Sequence, residues 1–369
     1  MFSSRLKWET APNRLMKAVE ARRANGAPIL DLTQSNPTQA GIVYPAGMLS
    51  AFSDPRAMQY DPDPRGLLFA REAVARHFHC NVERVVMTAS TSEAYSWLFK
   101  LLCDPGEEVL VPCPSYPLFD YLAALESVQV KQYPLRYHEG WWLDFEDLER
   151  AITPKTRALV VVNPNNPTGS YVKPGELTRL NEICRKHDLA LISDEVFSGY
   201  VLHGEAHSLL DNDGVLTFCL NGLSKLIGLP QVKLGWLIAG GPGHAEALSK
   251  IDHIADTYLS VGTPVQYALP SLLALQPGIE GQIKERCRTN LARLDGALYV
   301  EGGWYAVIQI PRTRTEEEWA LLLLQDHGVL VQPGYFYDFE REAFLVLSLL
   351  TEPSVFQEGM QRIEHSLLS

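Results

Sequence analysis

Short apolar runs alternate along most of the chain with stretches whose apolar residues recur at helical spacing. The runs RVVMT (84–88), EVLVP (108–112), VQVKQYP (128–134), RALVVVN (157–163), LALISDE (189–195), VLTFCL (215–220) and LGWLIAG (234–240) read as strands. Several are apolar on both faces, as parallel strands covered by helices on each side are. Between them, TSEAYSWLFKLLCD and PGELTRLNEICRKHD read as helices. This alternation predicts an α/β fold, a three-layer sandwich around a mostly parallel sheet. The last hundred or so residues change character. QIKERCRTNLARLDGAL, WYAVIQIP, TEEEWALLLLQDHG and FLVLSLL suggest a small α+β domain, which the N-terminal helix could join. The expected division is a large domain over 45–262 and a small one from 1–44 and 263–369. HFH at 77–79 reads as an alternating surface segment after a helix.

In open α/β sheets, ligands gather beyond the carboxyl ends of the strands. After RVVMT come Ser90, Thr91 and Ser92, where a strand turns into a helix. Hydroxyls and free backbone N–H groups there make an anion site, although ordinary N-capping also uses Ser and Thr. After RALVVV the chain stops at a rigid polar corner, NPNNPTG, which holds Asn163, Asn166 and Gly169. After LALIS comes the pair Asp194-Glu195. An acidic pair at a strand tip suits Mg²⁺ when a GxxxxGK[ST] loop accompanies it, and no such loop is present; nor does GxGxxG open a helix. After VLTFCL comes Lys225, between Ser224 and the apolar Leu226 and Ile227. A lysine at a sheet tip is usually solvated. Apolar neighbours would desolvate this one and lower its pKa toward the neutral amine that Schiff-base chemistry needs.

Composition narrows the partners. The chain has 369 residues, 46% of them hydrophobic, which is ample for a large core. A net charge of −12 disfavours nucleic acid and anionic membrane surfaces. No apolar run reaches the length of a membrane span, and the amphipathic N-terminus lacks a signal-peptide core. The six cysteines are scattered without metal-ligand spacing, so the expectation is buried free thiols and a reduced, cytoplasmic setting.

A phosphate cradle, an Asn corner, a carboxylate and a desolvated lysine match the needs of pyridoxal 5'-phosphate (PLP). NPNNPTG, SDEVFSGY and GLSKLIGLPQVKLGW, in that order and spacing, resemble the PLP-dependent aminotransferases of class I/II, fold type I. DLTQSNPT, YDPDPRGLLFAREAVARHF and VLVPCPSYPLF extend the resemblance along nearly the whole chain. It implies that Lys225 anchors the coenzyme's aldehyde and shuttles the proton. Asp194 would pair with the ring nitrogen, Asn166 would donate to the ring hydroxyl and Tyr116 would stack on the ring. Ser90, Thr91, Ser92, Ser224 and Lys233 would bind the phosphate. Tyr60 would reach the phosphate of a neighbouring subunit in a homodimer with shared sites. The partners implied are a small amino donor and a keto acceptor.

Four positions depart from the family's commonest pattern. Phe197 stands where most relatives have a Tyr donating to the ring oxygen. Its loss predicts that the nitrogen joining Lys225 to the coenzyme holds a proton more readily than in Tyr-containing relatives. Gly222 stands where most have Ser, and Lys233 where most have Arg, a point charge replacing a fork. In FLVLSLL, Val346 occupies the place of the Arg that grips a substrate carboxylate, and valine cannot make that clamp. Arg341, Arg312, Arg314 and Arg65 are the candidate substitutes. Transamination is the expected activity. C–S lysis or another β-elimination on the same fold is the alternative, and a PLP-binding regulatory protein is the reading from another class.

Overall fold

A computed structural model of the chain describes residues 2–8 and 10–368. Its strands are β1 Leu30–Asp31, β2 Val85–Thr88, β3 Glu108–Cys113, β4 Gln129–Tyr137, β5 Trp141–Leu143, β6 Thr156–Val162, β7 Ala190–Asp194, β8 Thr217–Gly222, β9 Gly235–Gly240, β10 Tyr305–Gln309, β11 Val329–Leu330, β12 Gln332–Pro333 and β13 Phe344–Ser348. Eight form one sheet in the order β2-β9-β8-β7-β6-β3-β4-β5. β9 runs antiparallel to β2 and β8, and β5 antiparallel to β4; the other pairings are parallel. All seven expected strands of the large sheet are present.

The alternation of side chains along β6 builds the three layers. Ala158, Val160 and Val162 face a core shared with helices Thr91–Leu102 and His244–Tyr258. Leu159 and Val161 face the opposite core, shared with helices Phe145–Ala151 and Pro174–His187. Such two-sided burial is why the central strands read as unbroken apolar runs. Caps set the helix limits. The Ser90 hydroxyl accepts from the Glu93 N–H at 3.2 Å, and the Glu176 carboxylate accepts from the Lys173 N–H at 2.9 Å.

The C-terminal part forms its own antiparallel sheet, β10-β13-β12. β1, near the N-terminus, pairs in parallel with β11. Ser348 at the end of β13 donates through its hydroxyl to the Gln34 carbonyl at 2.5 Å, so this sheet holds the N-terminal loop that carries Ser35. Helix Gln276–Leu291 covers the first part of the stretch 282–298, and the chain then turns, with φ +77° at Gly296. One expectation shifts. HFH is the last turn of helix Leu68–Phe78 rather than an alternating segment, since Phe78 packs edge-on against Trp236 at 5.8 Å and His79 ends the helix at φ +54°.

Candidate active site

A cavity of about 220 Å³ opens at the carboxyl ends of β6, β7 and β8. Ser90, Thr91, Tyr116, Asn166, Asp194, Ser224 and Lys225, all singled out in the sequence, line it. Ser92, Lys233 and Tyr60 do not. Lys233 is exposed at the end of a short turn, and Tyr60 is 75% exposed on the surface.

Strand parity separates the acidic pair. Asp194 shares its face of β7 with Ile192 and looks toward helix Thr91–Leu102. Tyr95 on that helix donates its hydroxyl to Asp194 Oδ2 at 3.0 Å, and the Val196 N–H donates to Oδ1 at 3.2 Å. Burial raises the Asp194 pKa to about 6 despite these donors. Glu195 points to the opposite face with Ser193. There it accepts from the hydroxyls of Ser193 (2.9 Å) and Ser208 (2.6 Å) and from the Leu209 N–H (2.8 Å). One carboxylate therefore serves the cavity while the other fastens a loop. Among the described residues no group of His, Cys, Asp and Glu is placed to hold a metal ion.

Lys225 lies on the short helix Leu223–Leu226 just past β8. Tyr200 fixes it by donating its hydroxyl to the Lys225 carbonyl at 2.6 Å. The amine sits 5.1 Å from the Trp304 ring centre and 5.6 Å from that of Phe197. Burial lowers its pKa, against the pull of the Asp194 charge. The shift is in the direction of the neutral amine, relative to a solvated lysine.

The floor beneath Ser90 and Ser224 rests on two opposed glycines, Gly222 of β8 and Gly235 of β9. A Cβ on Gly222 would meet Gly235 Cα and the Leu234 carbonyl oxygen at 2.9 Å. One on Gly235 would lie 3.2 Å from the Thr91 nitrogen. The serine common at position 222 in the family would collide with this backbone. The pair brings β8, β9 and the N-terminus of helix Thr91–Leu102 into contact, leaving Ser90, Thr91 and Ser224 around one spot.

In the Asn-Pro corner, the Asn163 amide accepts from the Val172 N–H at 2.9 Å and donates to the His207 carbonyl at 2.5 Å. Asn165 accepts from the Thr168 hydroxyl at 2.9 Å. These bonds leave Asn166 facing the cavity, its Oδ1 buried without a hydrogen-bond partner. Gly169 adopts φ +73° with its would-be Cβ 2.6 Å from the Gly302 carbonyl oxygen, which presses the corner against the C-terminal part of the chain.

Sequence reasoning missed Tyr95, Tyr200, Trp304, Tyr305 and the contribution of Ser35. Tyr305 of β10 and Ser35 both line the cavity. Burial raises the Tyr305 hydroxyl to about 12, so it stays a neutral donor. Tyr116 is placed from a distance. The Glu316 carboxylate accepts from the N–H groups of Tyr335 and Phe344, each at 2.6 Å, and so closes the loop between them. That loop offers the Tyr337 carbonyl to the Ser115 N–H at 3.0 Å.

The family model described as Aminotransferase class I and II matches residues 28–363. Alanine aminotransferase of Mycobacterium tuberculosis is 30% identical over 377 residues, covering 94% of this chain and 87% of its own. Glutamate-pyruvate aminotransferase of Escherichia coli is 30% identical over 272 residues, covering 70% of this chain and 67% of its own. The solved structure of alanine aminotransferase from Pyrococcus furiosus covers 100% of both chains with a TM-score of 0.88 at 26% identity. An Escherichia coli aminotransferase structure has a TM-score of 0.87 at 26% identity, covering 100% of this chain and 98% of its own.

Proposed function

The chain belongs to the class I and II aminotransferases, and from that premise we propose that its cavity binds pyridoxal phosphate and uses it to pass an amino group from a small donor to a keto acceptor. One observation carries the coenzyme assignment: the Lys225 amine, the Asp194 carboxylate and the Asn166 amide line one cavity with the hydroxyls of Ser90, Thr91 and Ser224. The donor set fits each part of the group. The helix N-terminus and three hydroxyls suit a phosphate. Asp194, held by Tyr95, suits a protonated ring nitrogen. Asn166 lines the cavity with no partner on its buried Oδ1, so the amide is not held by the protein on that side and its NH2 would donate to the ring hydroxyl. Bound there, the coenzyme would supply an electron sink for the carbon that bears the amine. Lys225 would anchor it and carry a proton on Nζ to and from that carbon, a task for which a lowered pKa is suited. Tyr116 would cover the ring.

The same reading takes residues 45–262 as the coenzyme-binding domain, with 1–44 and 263–369 as the smaller one. It also takes the protein to be a cytoplasmic homodimer. The 43–60 segment exposes Val43 (71%), Leu49 (74%), Met58 (91%) and Tyr60, an apolar surface suited to a second copy, with Tyr60 reaching the partner's phosphate and Lys233 its own. All six cysteines are free thiols, and no helix among the described residues is long and apolar enough to cross a membrane.

The test is reconstitution with pyridoxal phosphate, borohydride reduction and peptide mapping. The label is expected on Lys225, and a label elsewhere or none overturns the assignment. Product analysis separates transfer from elimination. Keto product without ammonia means transfer; ammonia and pyruvate from a cysteine derivative mean elimination.

A further inference from the structure

The cavity has two chemically different walls. Ser90, Thr91 and Ser224 surround a helix N-terminus, where an anion is welcome. The other wall, Ser35, Tyr116 and Tyr305, is hydroxyl-bearing and uncharged. The sheet behind it continues that character. Val346 pairs with Val307 and with Gln332 on the face that carries Tyr305, and Val346 is 1% exposed. Gln332 Oε1 accepts from the Tyr337 hydroxyl. Lys225 is the one cation in the described lining and Asp194 the one anion.

None of the arginines named as substitutes lines this cavity. Arg65 is forked onto Asp252 at 2.6 and 2.7 Å, and Arg314 stacks over Trp319 at 4.9 Å. Arg312 and Arg341 line a separate cavity of about 410 Å³. A carboxylate entering the hydroxyl wall would meet no guanidinium. It would also share the cavity with Asp194 and, when the coenzyme is bound, with its phosphate. Burying a charge without a counterion is costly, whereas a neutral hydroxyl can give and take hydrogen bonds with Ser35 and Tyr305 at little cost.

Resting on the coenzyme assignment above, we propose that the amino donor is a 2-amino alcohol: a primary amine whose carbon carries a hydroxymethyl group in place of a carboxylate, the hydroxyl seated on Ser35 and Tyr305. The half-reaction balances as in any transamination. The donor's C–H and C–N bonds break, water supplies the oxygen of the hydroxy-ketone product, and that carbon loses two electrons. The coenzyme's aldehyde carbon would gain the electrons and the nitrogen and give up its oxygen as water, with Lys225 Nζ carrying the proton from the donor carbon to it. A carbonyl acceptor takes both back in the second half-reaction.

The experiment uses the coenzyme-loaded protein and matched pairs. Affinity is read from shifts of the visible band with 2-amino-2-methyl-1-propanol and 2-aminoisobutyrate, which bind but lack the hydrogen that must leave. Rate is read by stopped flow with L-alaninol against L-alanine and L-phenylalaninol against L-phenylalanine. Each alcohol is expected to bind and to react at least about 10-fold better than its acid. Tyr305→Phe should cost the alcohols about 10-fold in affinity and in rate. Val346→Arg should shift preference toward the acids by at least about 10-fold, and Tyr305→Phe supplies the test if that variant does not fold. Acids equal to or better than alcohols, or reaction with neither, overturn the proposal. A missing visible band or an unlabelled Lys225 instead overturns the coenzyme assignment on which it rests.

Discussion

The raised pKa of Asp194 makes a quantitative prediction about the coenzyme-free protein. Its carboxyl titrates near 6 when folded, against an ordinary 3.8. A folded pKa above the unfolded one means that the folded state binds more protons between those values, so stability falls as pH rises through that window. The shift of about 2 pH units corresponds to at most about 3 kcal/mol, fully lost above pH ~7 and fully present below ~4. Between pH 5 and 7.5 the two titration curves leave a loss of roughly 1.4 kcal/mol, the part accessible without acid denaturation of other groups. The perturbation is Asp194→Asn, which keeps size and removes the charge. Denaturant unfolding of the coenzyme-free native protein and variant at pH 5 and 7.5 gives the double difference. The variant's stability relative to native should rise by about 1 to 1.5 kcal/mol at the higher pH. Because Asp194 also supports the Lys225 charge, the same pair is measured in a Lys225→Met background, where that coupling is absent. A double difference of zero, or of opposite sign, in that background refutes the claim that burial governs this carboxylate.

Gly235→Ala places a methyl 3.2 Å from the Thr91 nitrogen and should weaken coenzyme binding by about 10-fold or more while the far-ultraviolet spectrum is kept, as read by a fluorescence titration. Glu316→Ala strands the N–H groups of Tyr335 and Phe344; it is expected to cost about 2–4 kcal/mol in unfolding experiments and to open the 334–344 loop to protease. Phe197→Tyr restores a hydroxyl beside Lys225, and the pH midpoint of the visible band of the coenzyme-loaded protein is expected to move down; an unchanged or higher midpoint counts against the sequence-based expectation.

The large sheet was legible because its strands are buried on two faces, which leaves a signal in every run. β5, the three residues Trp141–Leu143, was not, because a strand of that length on an edge has no period to read. Residues at strand tips were legible for a topological reason: in this architecture those tips converge, so Asp194, Asn166 and Lys225 could be grouped before any coordinates. Tyr95 was hidden by its setting. It lies on the apolar face of a helix between Ala94 and Trp97, where a tyrosine reads as core until the register of β7 brings Asp194 beneath it. Ser35 and Tyr305 depend on pairings across the length of the chain, between β10 and β13 and between Ser348 and Gln34, which no local pattern encodes. The serine at position 222 that the family pattern suggests is excluded by a contact across β8 and β9.

The lining of the cavity runs from Ser35 to Tyr305 in the order in which a ribosome delivers it. The reagents at positions 90 through 225 leave the ribosome well before the hydroxyl-bearing wall is finished. A chain interrupted ahead of β10 thus holds Lys225 and Asp194 but lacks Tyr305, which completes that wall. Tyr305 is the last of the cavity's lining residues that this polypeptide acquires as it is made.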